Sequence, residues 1–403
     1  MTVFTTLEGQ RDLPRYFKAV FDQAKGLEHG RLDFRLPDGR LFRVEGSKPG
    51  PVGELDIHNE DIFARLIREG DLGFCEAYLD EWWSTPDLQG FLDVVHADND
   101  EVYDGFLGLR IIRAYEKFRF WLQSNSKRQA KKNIAAHYDL GNDFYALWLD
   151  DTMTYSSALF ETGQESLETA QIAKYASMVD QMGAMPGDHV LEIGCGWGGF
   201  AEYAARERGL KVTGLTISRE QHDYAVKRIA DAGLSDRVEI KLQDYRDEQG
   251  TYDGIASIEM FEAVGEKYWP VYFDTLRERL KPGKQATLQI ITVQDKRWDV
   301  YRRGVDFIQK YIFPGGMLPA PKVLREQVLR AGLEVAHSVE FGESYSQTCR
   351  RWYDTFNEKW DQISALGFDD RFRRMWNFYL TSCAATFHFG NCDVTQITVR
   401  RPV

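Results

Sequence analysis

Five short apolar stretches in the second half of the chain constrain its fold more than any other feature. They read "HVLEIG", "KVTGLTI", "VEIKLQ", "YDGIASIEM" and "QATLQIITV", and segments with helical spacing separate most of them. Apolar strands that alternate with amphipathic helices form a mostly parallel sheet covered on both faces. From about residue 165 onward the sequence therefore predicts an α/β fold of the Rossmann-like type.

The first of these strands runs into a glycine-rich loop, "VLEIGCGWGGF" (190–200). A phosphate-binding P-loop needs Lys and then Ser or Thr after its last glycine, whereas Phe200 follows Gly199 here. A dinucleotide site needs an acid at the end of the second strand, but that strand ends in "GLTIS" and the acid is Glu192, in the first strand. Strand-Glu-x-Gly-x-Gly is the usual layout of an S-adenosylmethionine pocket. The loop thus predicts a sulfonium cofactor and no phosphate, with a ligand-free glycine turn as the alternative.

Two residues after the third strand extend this pocket. Asp244 can accept a hydrogen bond from an adenine amino group, and Tyr245 can form an aromatic wall beside it. The ordered set of three strand ends is more specific than the glycine loop alone.

The N-terminal part of the chain has a different pattern. Residues 31–45 alternate apolar and polar side chains on both sides of Pro37-Asp38-Gly39, which predicts a β-hairpin. Helical spacing follows over 59–83, interrupted at Gly70 and Gly73. We expect a small α+β domain over 1–105 associated with lipid, a basic helical linker over 106–136 and a catalytic domain over 137–403.

The linker is basic in an otherwise acidic chain. Between residues 110 and 132 one acid, Glu116, faces eight basic residues: Arg110, Arg113, Lys117, Arg119, Lys127, Arg128, Lys131 and Lys132. Aromatic and apolar residues are interleaved with them, as in segments that bind an anionic lipid surface. A linker helix with a solvated charged face is the other interpretation, and both stay open.

Composition excludes several classes of protein. A net charge of -12 argues against a general nucleic-acid binder. No apolar run approaches the length of ~18 residues that spans a membrane, and the first residues lack the pattern of a secretory signal. Five scattered cysteines favour free thiols in a reducing cytosol. Cys383, His388 and Cys392 lack metal-ligand spacing, so no metal is predicted.

Seven ordered blocks over the last ~270 residues carry a resemblance. They are "HYDLGNDFYALWLDDTMTYSSALF", "VLEIGCGWGGFAEYA", "GLTISREQ", "LQDYRD", "SIEMFEAVGEKYW", "KYIFPGGMLP" and "FYLTSCAATF". The sequence resembles the cyclopropane fatty acid synthase family, which includes mycolic acid cyclopropane synthases and methyltransferases. The resemblance implies S-adenosylmethionine as cofactor and, as substrate, a cis double bond in an acyl chain of a membrane phospholipid. The cofactor contacts it implies fall on Tyr155, Ser156, Gly194, Cys195, Gly196, Thr216, Ile217, Gln221, Asp244 and Tyr245.

The implied chemistry joins an electrophilic methyl group to a weakly nucleophilic alkene, which requires close alignment in a dry pocket. It leaves a carbocation that aromatic faces can stabilise. The candidates are Tyr138, Phe144, Tyr155, Phe261, Tyr311 and Tyr345. A proton lost from the new methyl group closes a cyclopropane ring, whereas one lost from the chain leaves a methyl-branched alkene.

In the family's cyclopropane makers the base is held to be a bound bicarbonate ion. The resemblance assigns its ligands here to Glu262, to Tyr345 and to the backbone of Ile291. Ser157 stands where the family has cysteine, and Gln289 where it has histidine. Neither can carry the positive charge of a histidine, so bicarbonate binding and ring closure are in doubt and methyl branching fits as well. Cys383 aligns with a family cysteine often labelled catalytic, but methyl transfer needs no covalent nucleophile and we expect it to be a packing residue.

We therefore predict an S-adenosylmethionine-dependent C-methyltransferase that acts on unsaturated chains of membrane phospholipid. We expect it in the cytoplasm, peripherally bound to the inner face of the membrane, with homo-oligomers left open. The alternatives are a methyltransferase of a soluble small molecule and a lipid-binding homologue without catalysis.

Overall fold

The computed structural model describes residues 2–98, 115–117, 120, 125–127, 129–130, 133 and 140–403. These residues form two compact units. The first takes in the described residues of 1–120 together with 303–311 and 367–391, and the second takes in those of 121–302, 312–366 and 392–403. The expected domain boundaries near 105 and 136, most of the basic segment 110–132 and Tyr138 lie outside the described residues, so these calls stay predictions.

The first unit contains a five-stranded sheet in the order β1-β3-β2-β4-β5. Its strands are β1 (Val3–Phe4), β2 (His29–Arg35), β3 (Leu41–Glu45), β4 (Lys48–Ile57) and β5 (Trp83–Ser84). Its helices are α1 (Phe17–Ala24), α2 (Ile62–Leu79), α3 (Leu88–Ala97), α10 (Phe307–Tyr311) and α14 (Asp370–His388). The predicted hairpin is confirmed, since β2 and β3 pair antiparallel. The predicted interruption of α2 is confirmed at Gly70, whose φ of 70° and ψ of -152° are non-helical, but it is wrong at Gly73, where the backbone stays helical.

The second unit contains a seven-stranded sheet in the order β11-β12-β10-β9-β6-β7-β8. Its strands are β6 (His189–Ile193), β7 (Lys211–Thr216), β8 (Val238–Leu242), β9 (Tyr252–Ile258), β10 (Leu280–Val293), β11 (Glu334–Glu340) and β12 (Cys392–Arg400). Strands β6 to β10 run parallel, and β12 is antiparallel to both of its neighbours. The predicted mostly parallel α/β sheet is confirmed.

Nine helices of the described residues accompany this sheet, and the longer α5 begins at a side-chain cap. They are α4 (Asn142–Ala146), α5 (Leu167–Met182), α6 (Gly199–Arg208), α7 (Arg219–Asp231), α8 (Trp269–Arg279), α9 (Trp298–Tyr301), α11 (Pro321–Arg330), α12 (Gly342–Glu358) and α13 (Trp360–Ala365). The long helix α5 starts after Ser166, whose side chain accepts a hydrogen bond from the Thr169 amide. None of the helices in the described part of the chain is long and apolar enough to cross a membrane.

The strand order determines where a ligand binds. Strand β6 lies between β7 and β9, so the chain turns to one side after β6 and returns to the other side with β9. In open parallel sheets, ligands bind beyond the carboxyl ends of the strands at such a reversal. Residues just after β6, β7, β8 and β9 therefore share one edge of the sheet.

Candidate active site

The glycine loop after β6 is tied to the end of β7. The amides of Gly194 and Cys195 both donate to the Leu215 carbonyl at 2.9 Å. Gly194 and Gly196 have φ of 83° and 51°, in the left-handed region that favours glycine. A Cβ on Gly194 would lie 2.7 Å from the Met260 side chain, whereas one on Gly196 would meet no atom within 4 Å. The loop thus presents bare backbone to open space, as a closely approaching ligand requires.

Glu192 supplies an unusual carboxylate beneath this loop. It is 3% exposed, and one of its carboxylate oxygens has no hydrogen-bond partner among the described residues. Burial raises its pKa to about 8, against the attraction of Lys174 and Arg228. A buried acceptor without a partner is rare in native structures. It fits a pocket that receives a ligand with N–H donors, such as the amino group of S-adenosylmethionine.

The end of β7 carries a buried polar pair. Thr216 donates its hydroxyl to the Gln221 side chain at 2.9 Å, and the Ser218 side chain caps helix α7 by accepting from the Gln221 amide. Ile217 between them is half-buried. The three predicted cofactor positions on this segment therefore lie together at the sheet edge.

The predicted adenine acceptor is engaged in an ion pair. Both Asp244 carboxylate oxygens accept from the Arg246 guanidinium, at 2.8 and 2.6 Å. Burial raises the pKa of Asp244, but the bonds from Arg246 outweigh it and leave that pKa below its usual value. The Tyr245 hydroxyl is buried without a partner among the described residues. Adenine binding here stays a prediction, with an acceptor whose charge Arg246 already balances.

The most densely bonded carboxylate of the site is Glu259, which the sequence analysis did not single out. Its Oε1 accepts from the Ser157 amide and from Gln289 Nε2, both at 2.8 Å, and its Oε2 accepts from the Tyr345 hydroxyl at 2.8 Å. The Glu259 amide donates to the Gln289 carbonyl. Its φ of 49° lies in the left-handed region, which is uncommon for a residue with a side chain. The backbone turn that follows β9 thus places a carboxylate among three donors.

Glu262 lies in a different environment one 3-10 turn later, over Phe261–Ala263. Its Oε1 accepts from the Ile291 amide at 2.5 Å, and its Oε2 is buried without a partner among the described residues. Burial, and then the negative charge of Glu259, raise its pKa to about 8. Burial also raises the pKa of Glu259, but Lys174 and the donors Gln289, Ser157 and Tyr345 oppose that rise, whereas the Ile291 amide is the donor from β10 that opposes it at Glu262.

The five residues predicted to bind an anion contact one another or Glu259 instead. Ser157, Gln289 and Tyr345 donate to Glu259, and only Ile291 donates to Glu262. The Ser157 hydroxyl, which was expected to face the anion, donates to the Ala158 carbonyl at 2.9 Å. A carboxylate of the chain already occupies the donors, so the residues present do not fit a bound bicarbonate ion.

The orientation of the Gln289 amide is determined by a second glutamine. Gln289 on β10 lies opposite Gln396 on β12, and both are fully buried. Gln396 Nε2 donates to Gln289 Oε1 at 3.0 Å. Gln396 Oε1 in turn accepts from Ser177 and Gln181 of α5, at 2.6 and 2.7 Å. With its oxygen held in this way, Gln289 can only present its NH₂ group to Glu259.

Aromatic rings surround two of the predicted residues. The Tyr155 ring centroid lies 5.3 Å from that of Trp352 and 6.2 Å from that of Phe313. The Tyr345 ring meets Trp352 edge-on at 6.1 Å. Ring faces of this kind stabilise a nearby cation.

The other described aromatic candidates have different surroundings. Phe144 and Phe261 are 0% exposed in aromatic clusters of the core. Tyr311 belongs to the first unit, where its hydroxyl donates to Glu76 at 2.8 Å. Cys383 is a half-buried residue of α14, also in the first unit. Among the described residues no group of three His, Cys, Asp or Glu side chains could hold a metal ion.

These features are those of an S-adenosylmethionine-dependent methyltransferase. The glycine loop lies where the strand order of the parallel sheet reverses, the Glu192 carboxyl before it has an unpaired oxygen among the described residues, and the next strands end in polar side chains. Known proteins narrow this class further. The family model described as mycolic acid cyclopropane synthetase matches residues 125–397. The chain belongs to this family.

Relatives and solved structures agree with that assignment. Tuberculostearic acid methyltransferase UfaA1 of Mycobacterium tuberculosis is 41% identical over 376 residues, which cover 90% of this chain and 87% of the relative. Cyclopropane-fatty-acyl-phospholipid synthase of Escherichia coli is 35% identical over 386 residues, covering 92% of this chain and 94% of the relative. The structure of mycolic acid cyclopropane synthase CmaA1 complexed with SAH and CTAB has a TM-score of 0.63 and 31% identity, covering 67% of this chain and 97% of that one. This chain is an S-adenosylmethionine-dependent C-methyltransferase of lipid acyl chains.

Proposed function

We propose that this enzyme methylates the cis double bond of an acyl chain in membrane phospholipid and releases an open, methylated chain instead of a cyclopropane ring. One observation carries the proposal: the Glu259 carboxylate occupies the donors of Ser157, Gln289 and Tyr345. In this chain the Glu259 side chain takes the place of the bicarbonate ion that serves as the base in the family's cyclopropane makers.

The choice of phospholipid rests on the length of the likeness. The Escherichia coli relative, named for an acyl-phospholipid substrate, matches 92% of this chain, including its N-terminal part. The CmaA1 structure covers 67%. A membrane-lipid substrate accords with the longer match, and the name of that relative supplies the phospholipid type.

When bound, S-adenosylmethionine supplies an electrophilic methyl group. Transfer of that group to one alkene carbon would leave a positive charge on the neighbouring chain carbon. The rings of Tyr155, Trp352 and Tyr345 are suited to stabilise that charge. Loss of a proton then restores a neutral, unsaturated chain.

Glu259 is the residue that accepts this proton. Burial raises its pKa, while the charge of Lys174 and the hydrogen bonds from Gln289, Ser157 and Tyr345 oppose that rise and favour the ionised form. Glu262 remains neutral beside it, because burial and the charge of Glu259 raise its pKa to about 8. Two carboxyl groups whose pKa values are set apart in this way divide into a base and a neutral neighbour.

We further propose that the basic segment 110–132 binds the anionic membrane surface, on the strength of its eight basic residues against one acid. Clusters of this kind next to aromatic side chains are attracted to anionic lipid. The catalytic unit can then draw an acyl chain from the bilayer.

The test of the proposed reaction uses vesicles of cis-unsaturated phospholipid and cofactor with a trideuterated methyl group. Fatty acids are recovered and analysed by mass spectrometry, with NMR to separate a ring from an alkene. Three retained deuteriums mean that the proton left the chain, and two retained deuteriums in a methylene branch (=CD₂) also indicate an open product. A cyclopropane ring as the main product overturns the proposal, and so does the absence of label in lipid.

A further inference from the structure

Lys174 is a buried lysine whose hydrogen bond goes to Ser156 and not to the proposed base, Glu259. It lies on α5 with 0% exposure, and its Nζ donates to the Ser156 hydroxyl oxygen at 2.6 Å. Within the described residues no carboxylate comes within ion-pair distance of it. Lysine is almost never fully buried without a charged partner, because desolvating an ammonium is costly. The unfavourable desolvation of Lys174 suggests that its side chain acts on a neighbouring group.

The first link from Lys174 to the base runs through one peptide group. Gln171, one turn earlier on α5, donates to the Ser156 carbonyl at 2.9 Å. The same planar peptide unit contains the Ser157 N–H, which donates to Glu259 Oε1 at 2.8 Å. Helix α5 thus holds Ser156 by its side chain and by its carbonyl, and this aims the next amide at the carboxylate.

The second link is electrostatic. Three carboxylates act on Lys174, namely Glu259, Asp150 and Glu192, and burial lowers its pKa to about 7 against their attraction. On Glu259, the charge of Lys174 is the largest influence that opposes burial. The remaining titratable neighbours of Glu259 are Glu262, which repels it, and Tyr345, which donates to it.

We propose that Lys174 is a positioning residue for this reaction: its buried charge keeps the Glu259 carboxylate ionised, and its hydrogen bond to Ser156 directs the Ser157 amide to that carboxylate. This inference rests on the proposed function, in which Glu259 is the base.

The two roles separate in a set of substitutions. Lys174→Gln keeps a donor for Ser156 but removes the charge, Lys174→Met removes both, and Lys174→Arg keeps the charge. Glu259 must be ionised to accept a proton, so loss of the charge moves the acidic limb of the kcat/KM profile to higher pH. We expect a shift of about one pH unit or more in the Gln and Met variants, and a smaller one in Arg. Ser156→Ala, which keeps the charge, lowers the rate without moving the limb.

A measurement without turnover follows Glu259 itself. Infrared difference spectra record the carbonyl stretch of a protonated carboxyl group as pH falls, and the band that disappears in Glu259→Gln, but not in Glu262→Gln, belongs to Glu259. In Lys174→Gln this band appears at higher pH than in the unmodified enzyme. Thermal unfolding of every variant, with Lys174→Arg and Ser156→Ala as the least disruptive, identifies those that are folded.

The outcomes distinguish this inference from the proposed function. Lys174 variants that lose rate while the limb and the Glu259 band stay at the original pH overturn the inference, even if the product is an open methylated chain. Cyclopropane from the unmodified enzyme overturns the proposed function by itself. A shifted limb together with a shifted band supports the role of Lys174.

Discussion

Glu259 and Glu262 are three residues apart, yet their surroundings favour different protonation states. Glu259 has three hydrogen-bond donors and the influence of Lys174. Glu262 has one amide donor and a like charge beside it, which with burial brings its pKa to about 8. Residue type alone does not distinguish a base from a neutral carboxyl group, whereas the number of donors and the nearby charges do.

Replacing each of these carboxyl groups by its amide tests the assignment. Glu259→Gln removes the proton acceptor, and we expect kcat to fall by about 10²- to 10⁴-fold. Glu262→Gln is the matched control, since Glu262 is already neutral at pH 7 and we expect less than about a tenfold change. Turnover with labelled phospholipid, together with calorimetry of cofactor binding, separates a chemical defect from a binding defect. Equal losses in the two variants would contradict the assignment.

A second prediction at this scale rebuilds an anion site. The triple variant Ser157→Cys, Gln289→His, Glu259→Gly frees the donors, and glycine suits the φ of 49° at position 259. We expect its activity to depend on added bicarbonate and its product to include cyclopropane. Ser157→Cys with Gln289→His alone retains the Glu259 carboxylate and is expected to show no bicarbonate dependence. Bicarbonate dependence in that double variant would argue against Glu259 as the resident anion.

At the scale of elements, the pairing of strands β10 and β12 orients the Gln289 side chain. Their antiparallel register places Gln289 opposite Gln396. Helix α5 contacts both parts of the site: its Ser177 donates to Gln396, and its Lys174 donates to Ser156. Because side chains alternate along a strand, a shift of one residue in this register would turn Gln396 away from Gln289. The donor that faces Glu259 therefore depends on strand pairing as well as on residue identity.

Gln396→Leu tests this dependence. It removes the donor to Gln289 Oε1 and the acceptor that Ser177 and Gln181 share, so we expect a loss of roughly 1–3 kcal/mol in the free energy of unfolding. The Gln289 amide also becomes free to turn its oxygen toward Glu259, which lowers kcat. Thr398→Val is the control on the same strand, since it removes a buried hydroxyl bonded to Thr287 at 3.0 Å and to Gln181 at 3.3 Å but leaves the bond between Gln396 and Gln289 in place. If both variants lose kcat equally, the orientation of Gln289 has no special role.

At the scale of the whole molecule, an acidic chain acts on lipid. A net charge of -12 repels an anionic surface, so a local basic segment has to provide the attraction. The segment 110–132, with eight basic residues and one acid, has the composition that such an attraction requires.

Charge reversal in this segment is expected to weaken membrane binding. The variant Arg110→Glu, Arg113→Glu, Lys131→Glu, Lys132→Glu removes four positive charges, each worth about 1 kcal/mol at an anionic surface. We expect vesicles containing phosphatidylglycerol to retain far less of this variant in flotation assays, with little change on phosphatidylcholine alone. The charge-matched control reverses the exposed Lys18, Lys211, Lys227 and Arg325. Equal losses in the two variants would mean that net charge, and not this segment, sets the affinity.

The sequence by itself determined the parallel sheet, the glycine loop, the cofactor class and the family. Those features follow from local patterns, such as apolar strands between helices and glycines at positive φ, and they read in chain order. Comparison with the family pattern also singled out Tyr345 as a match and Ser157 and Gln289 as departures. Both glutamates, Glu259 and Glu262, lie in the short segment "IEMFE".

Only the tertiary structure decided which carboxylate the donors serve. Glu259, Ser157, Gln289 and Tyr345 come from segments far apart in the chain, and their meeting depends on strand register and on a left-handed backbone turn after β9. The burial of Lys174 has the same origin, since helical spacing shows that α5 has an apolar face but not which polar residue is enclosed with the base. Protonation states depend on distances and desolvation, and these exist only once the chain is folded.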